Sequence, residues 1–177
     1  MNNKIKQMVY AGLLTALAII IPVQFAFLKI TIPPFTATLA AHVPMMLSML
    51  ISPAVAIVVG IGSTIGFLIS GMPMPVVARA ATHIIVGYIG AKIIIRNQNY
   101  IKAAAITAPI HGLLEMIVVI PFIGFNLYQL LIITAVGGIL HHCVDSVIAY
   151  VLIKSVAKAK QKDIYTVFGE FTTQKLV

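Results

Sequence analysis

Acidic side chains are nearly missing from this chain. Only 4 of its 177 residues are Asp or Glu, against 12 Lys or Arg, and charged residues of both signs make up 9%. A soluble domain carries about 25% charge. A chain this short could not hide a 60% hydrophobic composition, because small folds leave much of their surface exposed. A water-soluble globule is therefore excluded, and the solvent is lipid. Tryptophan is absent, so the aromatic belt common at membrane interfaces has to rest on Tyr10, Tyr88, Tyr100, Tyr128 and Tyr150. The lone Cys143 rules out an internal disulfide. There is no Walker motif and no GxGxxG, hence no nucleotide site of its own. There is no HExxH either, so a zincin-like centre is unsupported, and neither a metal nor a catalytic group is expected. The net charge of +8 does not signal nucleic acid, because the basic residues sit at the ends of apolar runs, where they report topology.

What remains is a series of hydrophobic stretches, each measured against the ~20 residues a membrane-spanning helix needs. They run from about Ile5 to Phe25, Thr38 to Ile51, Ala54 to Ser70, Val76 to Ile95, Ile101 to Pro121 and Tyr128 to about Val156. The basic start of the first run is like a signal peptide, but no small-residue cleavage site follows, so it reads as the first helix. Pro33-Pro34 forces an extended link, Ser52-Pro53 breaks the chain again, and Gly71 to Pro75 is a turn. The expectation is an all-α integral membrane protein of six transmembrane helices with both termini cytoplasmic. Lys4, Lys6, Lys92, Arg96, Lys102, Lys154, Lys158, Lys160, Lys162 and Lys175 then fall inside, and only Lys29 lies in an outer loop, in agreement with the positive-inside rule. The second run, holding His42 and Pro44, is short for a span and is expected to be tilted or partly re-entrant.

The remaining basic residue, Arg79, lies inside a span. A buried arginine costs at least ~2.5–3.5 kcal/mol on insertion scales, so it must be paired, wetted or used. Arg79 and His83 are four apart, as are His111 and Glu115, so each pair shares a helix face. At ~1.5 Å per residue, Arg79, His83 and Glu115 fall in the outer half, with His111 a turn below Glu115. His141, His142 and Asp145 are placed near mid-depth or below. The planar fork of Arg79 suits a carboxylate; the competing reading is an ion pair with Glu115 or Asp145. His83 either meets a ligand or bonds a neighbouring hydroxyl or carbonyl. His111, Glu115, His141, His142 and Asp145 read mainly as a hydrogen-bonded structural network; their spacings are also compatible with metal ligation, or with a proton relay through His111, Glu115 and Asp145 in a self-sufficient carrier. Small residues four apart, such as Gly12 with Ala16 and Gly62 with Gly66, allow close helix approach, inside the protein or against a partner.

A basic chain of this length with six apolar runs and no ATP site resembles the S component, the substrate-binding membrane subunit, of energy-coupling factor (ECF) transporters. Three stretches carry the resemblance: Ala11-Gly-Leu-Leu-Thr-Ala16, Thr38-Leu-Ala-Ala-His42-Val-Pro44 with Ile51-Ser-Pro53, and Ser70-Gly-Met-Pro-Met-Pro75-Val-Val-Ala-Arg79-Ala-Ala-Thr-His83. The last is most similar to the niacin-type subgroup, with pantothenate next. The tryptophan-rich pocket of the thiamin subgroup and the amino-terminal Met-His of metal-uptake relatives are both missing. The resemblance implies a substrate-binding domain over 1–157 and a polar cytoplasmic tail over 158–177. It implies capture of a vitamin at the cell membrane, no enzyme activity and no cofactor, with ATP bound by a partner ATPase pair on a transmembrane scaffold. It places Thr36, Thr38, Arg79, Thr82, His83, Glu115 and Asn126 around the ligand, and Ala11, Gly12, Thr15 and Ala16 against the scaffold.

Overall fold

A computed structural model describes residues 3–33 and 35–169. Pro34, Lys175 and the rest of the tail beyond Gly169 lie outside the described residues. The chain is helical apart from one hairpin. Helix α1 (Asn3–Gln24) is followed by strands β1 (Lys29–Ile32) and β2 (Phe35–Thr38), then α2 (Val43–Ser48), α3 (Pro53–Ile69), α4 (Met74–Ala81), α5 (His83–Asn97) and α6 (Tyr100–Ile123). A π-helical segment (Tyr128–Val136) leads into α7 (Gly137–Lys160).

Length and apolarity qualify four helical stretches to cross a membrane: Asn3–Gln24, Met74–Asn97, Tyr100–Ile123 and Tyr128–Lys160. The 17-residue α3 is equally apolar but shorter. Their outward faces carry large hydrophobes such as Met8, Leu13, Ile101 and Leu140, which suits contact with lipid rather than water.

The second apolar run departs most from expectation. It is not a helix from Thr38 to Ile51. Thr38 ends β2, the chain turns through 39–42, and α2 has only six residues, all buried. At ~1.5 Å per residue this helix rises about 9 Å, far short of a bilayer. Its buried Met45 and Met46, with Met49 and Leu50 just beyond its end, fill the space between the longer helices. Ser52 then caps α3, its hydroxyl accepting from Val55 N at 3.3 Å, with Pro53 in the first turn. Both features mark a helix start. The fourth run is also interrupted. α4 ends at Ala81 and α5 begins at His83, with Thr82 as the joint.

Small residues set the helix spacing. At Gly66 a Cβ would strike the backbone of Ala18 and Ile19, and at Gly62 it would meet the side chain of Thr15. The packing of α1 along α3 therefore depends on glycine there. The four residues expected to dock a scaffold divide between two faces. Thr15 turns toward α3 and Ala11 is half-buried, while Gly12 and Ala16 are exposed, with nothing within 4 Å of a Cβ built at Gly12.

Residues 165–168 of the tail pack against the bundle. Helix α7 continues three residues beyond the expected limit of 157, to Lys160. Val167 is buried, Tyr165 Oη accepts from Tyr100 N at 3.1 Å, and Phe168 meets Tyr10 edge-on. The start of α1 is also tied to the bend before α3, where Ser52 Oγ donates to Gln7 at 3.2 Å. These contacts gather the start of α1, Ser52, the start of α6 and the tail at one end of the bundle. The hairpin lies at the other.

Candidate functional site

The hairpin is a consequence of the two prolines and the β-branched residues around them. Lys29 pairs with Thr38 and Ile32 with Phe35, leaving a two-residue link. β1 is exposed throughout, whereas β2 buries Phe35 and Thr38. β2 therefore turns side chains and two carbonyls, those of Thr36 and Thr38, toward the helices behind it.

Arg79, on α4, is buried there and engages three groups. Its Nη1 donates to Thr36 O at 3.1 Å and its Nη2 lies 3.0 Å from Glu115 Oε1. Its guanidinium stacks 4.5 Å from the centre of the Phe35 ring, a cation–π contact that favours arginine over lysine. Its Nε has no hydrogen-bond partner. The sequence left open whether Arg79 pairs with Glu115 or Asp145; the partner is Glu115. The other oxygen of Glu115, Oε2, is buried without a partner. A Cβ at Gly138 would collide with that oxygen, so the glycine makes room for the carboxylate.

Around this pair lies a cavity of about 20 Å³, room for about one water. Its wall comes from β2 (Thr36, Thr38), the turn before α2 (Ala41, His42), α3 (Phe67), α4 (Val76, Arg79, Ala80), α5 (His83), α6 (Glu115) and α7 (His141). Five of the seven expected ligand-site residues are thus brought together: Thr36, Thr38, Arg79, His83 and Glu115. The other two have local duties. Thr82 Oγ1 donates to Arg79 O at 2.6 Å, and Asn126 Oδ1 accepts from Gln129 N at 3.1 Å. Both are the short-range bonds that Thr and Asn make to their own backbone.

Two wall residues were not in the expected set. His42 belongs to the short second run, and the sequence places His141 near mid-depth with Asp145. Both reach the cavity because Asp145 ties the turn before α2 to α7. Asp145 accepts from Ala40 N at 2.8 Å, from His42 N at 2.9 Å and from His42 Nδ1 at 2.8 Å. His141 Nε2 lies 3.2 Å from the same carboxylate and 3.0 Å from Thr38 O. Ala40 sits at φ 67°, a left-handed conformation that costs alanine roughly 1–2 kcal/mol, and the Asp145 bond holds it there. The i,i+4 spacing of His141 and Asp145 was the available sequence signal. His83 is bonded to Ser63 Oγ at 2.8 Å through Nδ1, so its other ring nitrogen is the one left for a ligand.

Chemically, the site is a cationic fork in a buried wall of imidazoles and threonines, counterbalanced by one carboxylate. Such a fork takes an anion with two coplanar oxygens. No family model and no solved structure matches the chain. Over 190 aligned positions, covering 98% of the chain and 85% of the relative, it is 33% identical to the niacin transporter NiaX of Lactococcus lactis subsp. cremoris (strain MG1363).

Proposed function

The chain belongs to the niacin-type S components of energy-coupling factor transporters, and from that premise we propose that it captures niacin at the outer face of the cell membrane and delivers it through a shared scaffold and ATPase pair. Arg79 carries the reading. It is a buried guanidinium on the wall of a polar cavity, with its Nε unpartnered and its Nη2 held by Glu115 alone. Niacin is a flat ring bearing one carboxylate. That carboxylate takes the place of Glu115 on Nη2 and accepts from Nε as well, using two parallel donors of the fork. Glu115 is then the resting occupant, released when cargo arrives. The ring lies against the threonines of β2, and His83 meets the ring nitrogen.

The cavity holds about one water, so entry requires the hairpin to lift and Glu115 to turn aside. Asp145 anchors the β2 end of the hairpin, whereas β1 is exposed along its length. The shortage of polar wall residues favours niacin over pantothenate, which needs a longer slot with several hydroxyl and amide partners. Both termini are proposed to be cytoplasmic, with the hairpin outside. The outward Gly12 and Ala16 of α1 offer the small-residue face for the scaffold. No cofactor is required of this subunit, and its role is transport rather than catalysis.

The competing class is a stand-alone proton-coupled carrier using His111, Glu115 and Asp145. Uptake by proteoliposomes separates the two. The purified chain alone is expected to accumulate no radiolabelled niacin under a pH gradient, and to do so once the scaffold and ATPase pair are added with ATP. Gradient-driven accumulation by the chain alone contradicts the proposal.

A further inference from the structure

All 5 histidines of the chain converge here, His42, His83 and His141 on the cavity wall and His111 and His142 behind it. His42 is at their centre, its ring 4.3 Å from that of His141, 4.7 Å from His83, 4.6 Å from His111 and 5.6 Å from His142. They come from the turn before α2 and from α5, α6 and α7. Apolar side chains would fill such a space at less desolvation cost than buried imidazoles.

We propose that His42, His111 and His142 form a binding site for a late divalent transition metal such as Zn²⁺ or Co²⁺. The three residues are fully buried and each offers a ring nitrogen within 4.8 Å of the others. Their hydrogen bonds decide which nitrogens are free. A carboxylate only accepts, so His42 Nδ1 carries the proton donated to Asp145, and His42 Nε2 is a bare lone pair without a partner. Thr107 Oγ1 donates to Ala103 O at 2.8 Å, so at its 3.0 Å contact with His142 Nε2 it accepts. His142 Nδ1 is then also a bare lone pair, buried and unpartnered. Neither ring nitrogen of His111 is hydrogen-bonded, Nε2 lying 3.6 Å from Glu115 Oε1. Asp145 behind His42 and Thr107 behind His142 orient those two rings and raise their basicity, which is how proteins build histidine–metal sites.

Three neutral imidazoles suit Zn²⁺, Co²⁺, Ni²⁺ or Cu²⁺ and not the oxygen-seeking Mg²⁺ or Ca²⁺. At ~2.0–2.1 Å from the metal in a tetrahedral site, the nitrogens would stand about 3.3 Å apart. Each ring then needs to move by less than about 1 Å. A bound ion cross-links the turn before α2 to α6 and α7. Since His111 and His142 lie off the cavity wall, the proposal does not rest on niacin recognition.

The test uses the untagged full-length chain in detergent, stripped with a chelator and titrated with Co²⁺ and with Zn²⁺ alone. One ion per chain is expected, with the visible d–d bands of a nitrogen-ligated low-coordinate Co²⁺. Thr107→Val is expected to weaken binding by ~10–100-fold, and His111→Ala and His142→Ala by more. X-ray absorption at the zinc edge of the wild-type protein covers the case in which these variants fail to fold, with outer-shell scattering from three imidazoles expected. Absence of binding by the wild type, equal binding by folded His111→Ala and His142→Ala, or a shell with fewer than three imidazoles overturns the proposal.

Discussion

Arg79→Ala is expected to abolish niacin binding in calorimetry while the subunit still assembles with its scaffold. Losing one partner of a buried, hydrogen-bonded charge pair costs about 2–5 kcal/mol, on the order of 30- to several-thousand-fold in Kd. The alanine variant also strands Glu115, which is buried with its Oε2 already unpartnered. An uncompensated buried carboxylate costs roughly 3–5 kcal/mol of stability. The double variant Arg79→Met with Glu115→Gln removes both charges and keeps the volume, so its fold is expected to survive and its binding to stay lost. Normal niacin affinity in either variant would remove Arg79 from the account. Glu115→Gln alone is expected to act in the opposite direction, because Arg79 then lacks a resting counter-ion and a ligand carboxylate meets no competitor.

Asp145→Ala is expected to cost as much stability as any single change near the site. Its carboxylate accepts from Ala40 N, His42 N and His42 Nδ1 and lies 3.2 Å from His141 Nε2. Truncation leaves buried donors with no acceptor, and the left-handed Ala40 loses the bond that holds it. Breaking such a network costs about 3–5 kcal/mol, a fall in Tm on the order of 10 °C for a chain of this size. Thermal unfolding in detergent, followed by circular dichroism, measures it. Niacin binding is expected to fall as well, since Thr36 and Thr38 lead directly into the strained turn. An unchanged Tm would show that the turn before α2 is held by other contacts.

The membrane class was legible from composition, because so little charge and so much apolar surface admit no other solvent. The breaks at Ser52-Pro53 and at Gly71 to Pro75 were legible because proline and glycine act locally. The same holds for Arg79, His83 and Glu115, where helical spacing and an expensive intramembrane charge pointed to one place. What failed was non-local. The run Thr38–Ile51 is as apolar as a span, but its residues are buried by other helices rather than by lipid, and hydropathy does not distinguish the two. The resemblance places Thr82 and Asn126 at the ligand, and in the structure each makes a short-range bond to nearby backbone. The five histidines are scattered between residues 42 and 142. Only the packing of the turn before α2 against α6 and α7 brings His42, His111 and His142 together.

The central claim is that a carboxylate is read by Arg79 in a niacin-sized site. Calorimetry of the purified wild-type chain with niacin and with its amide, nicotinamide, tests it most directly. The two ligands share a ring and a ring nitrogen and differ in the negative charge. The account predicts stoichiometric niacin binding and a nicotinamide affinity lower by about 2–5 kcal/mol, the worth of a buried charge-assisted contact. Equal affinity for the two, or no binding of niacin, would contradict it.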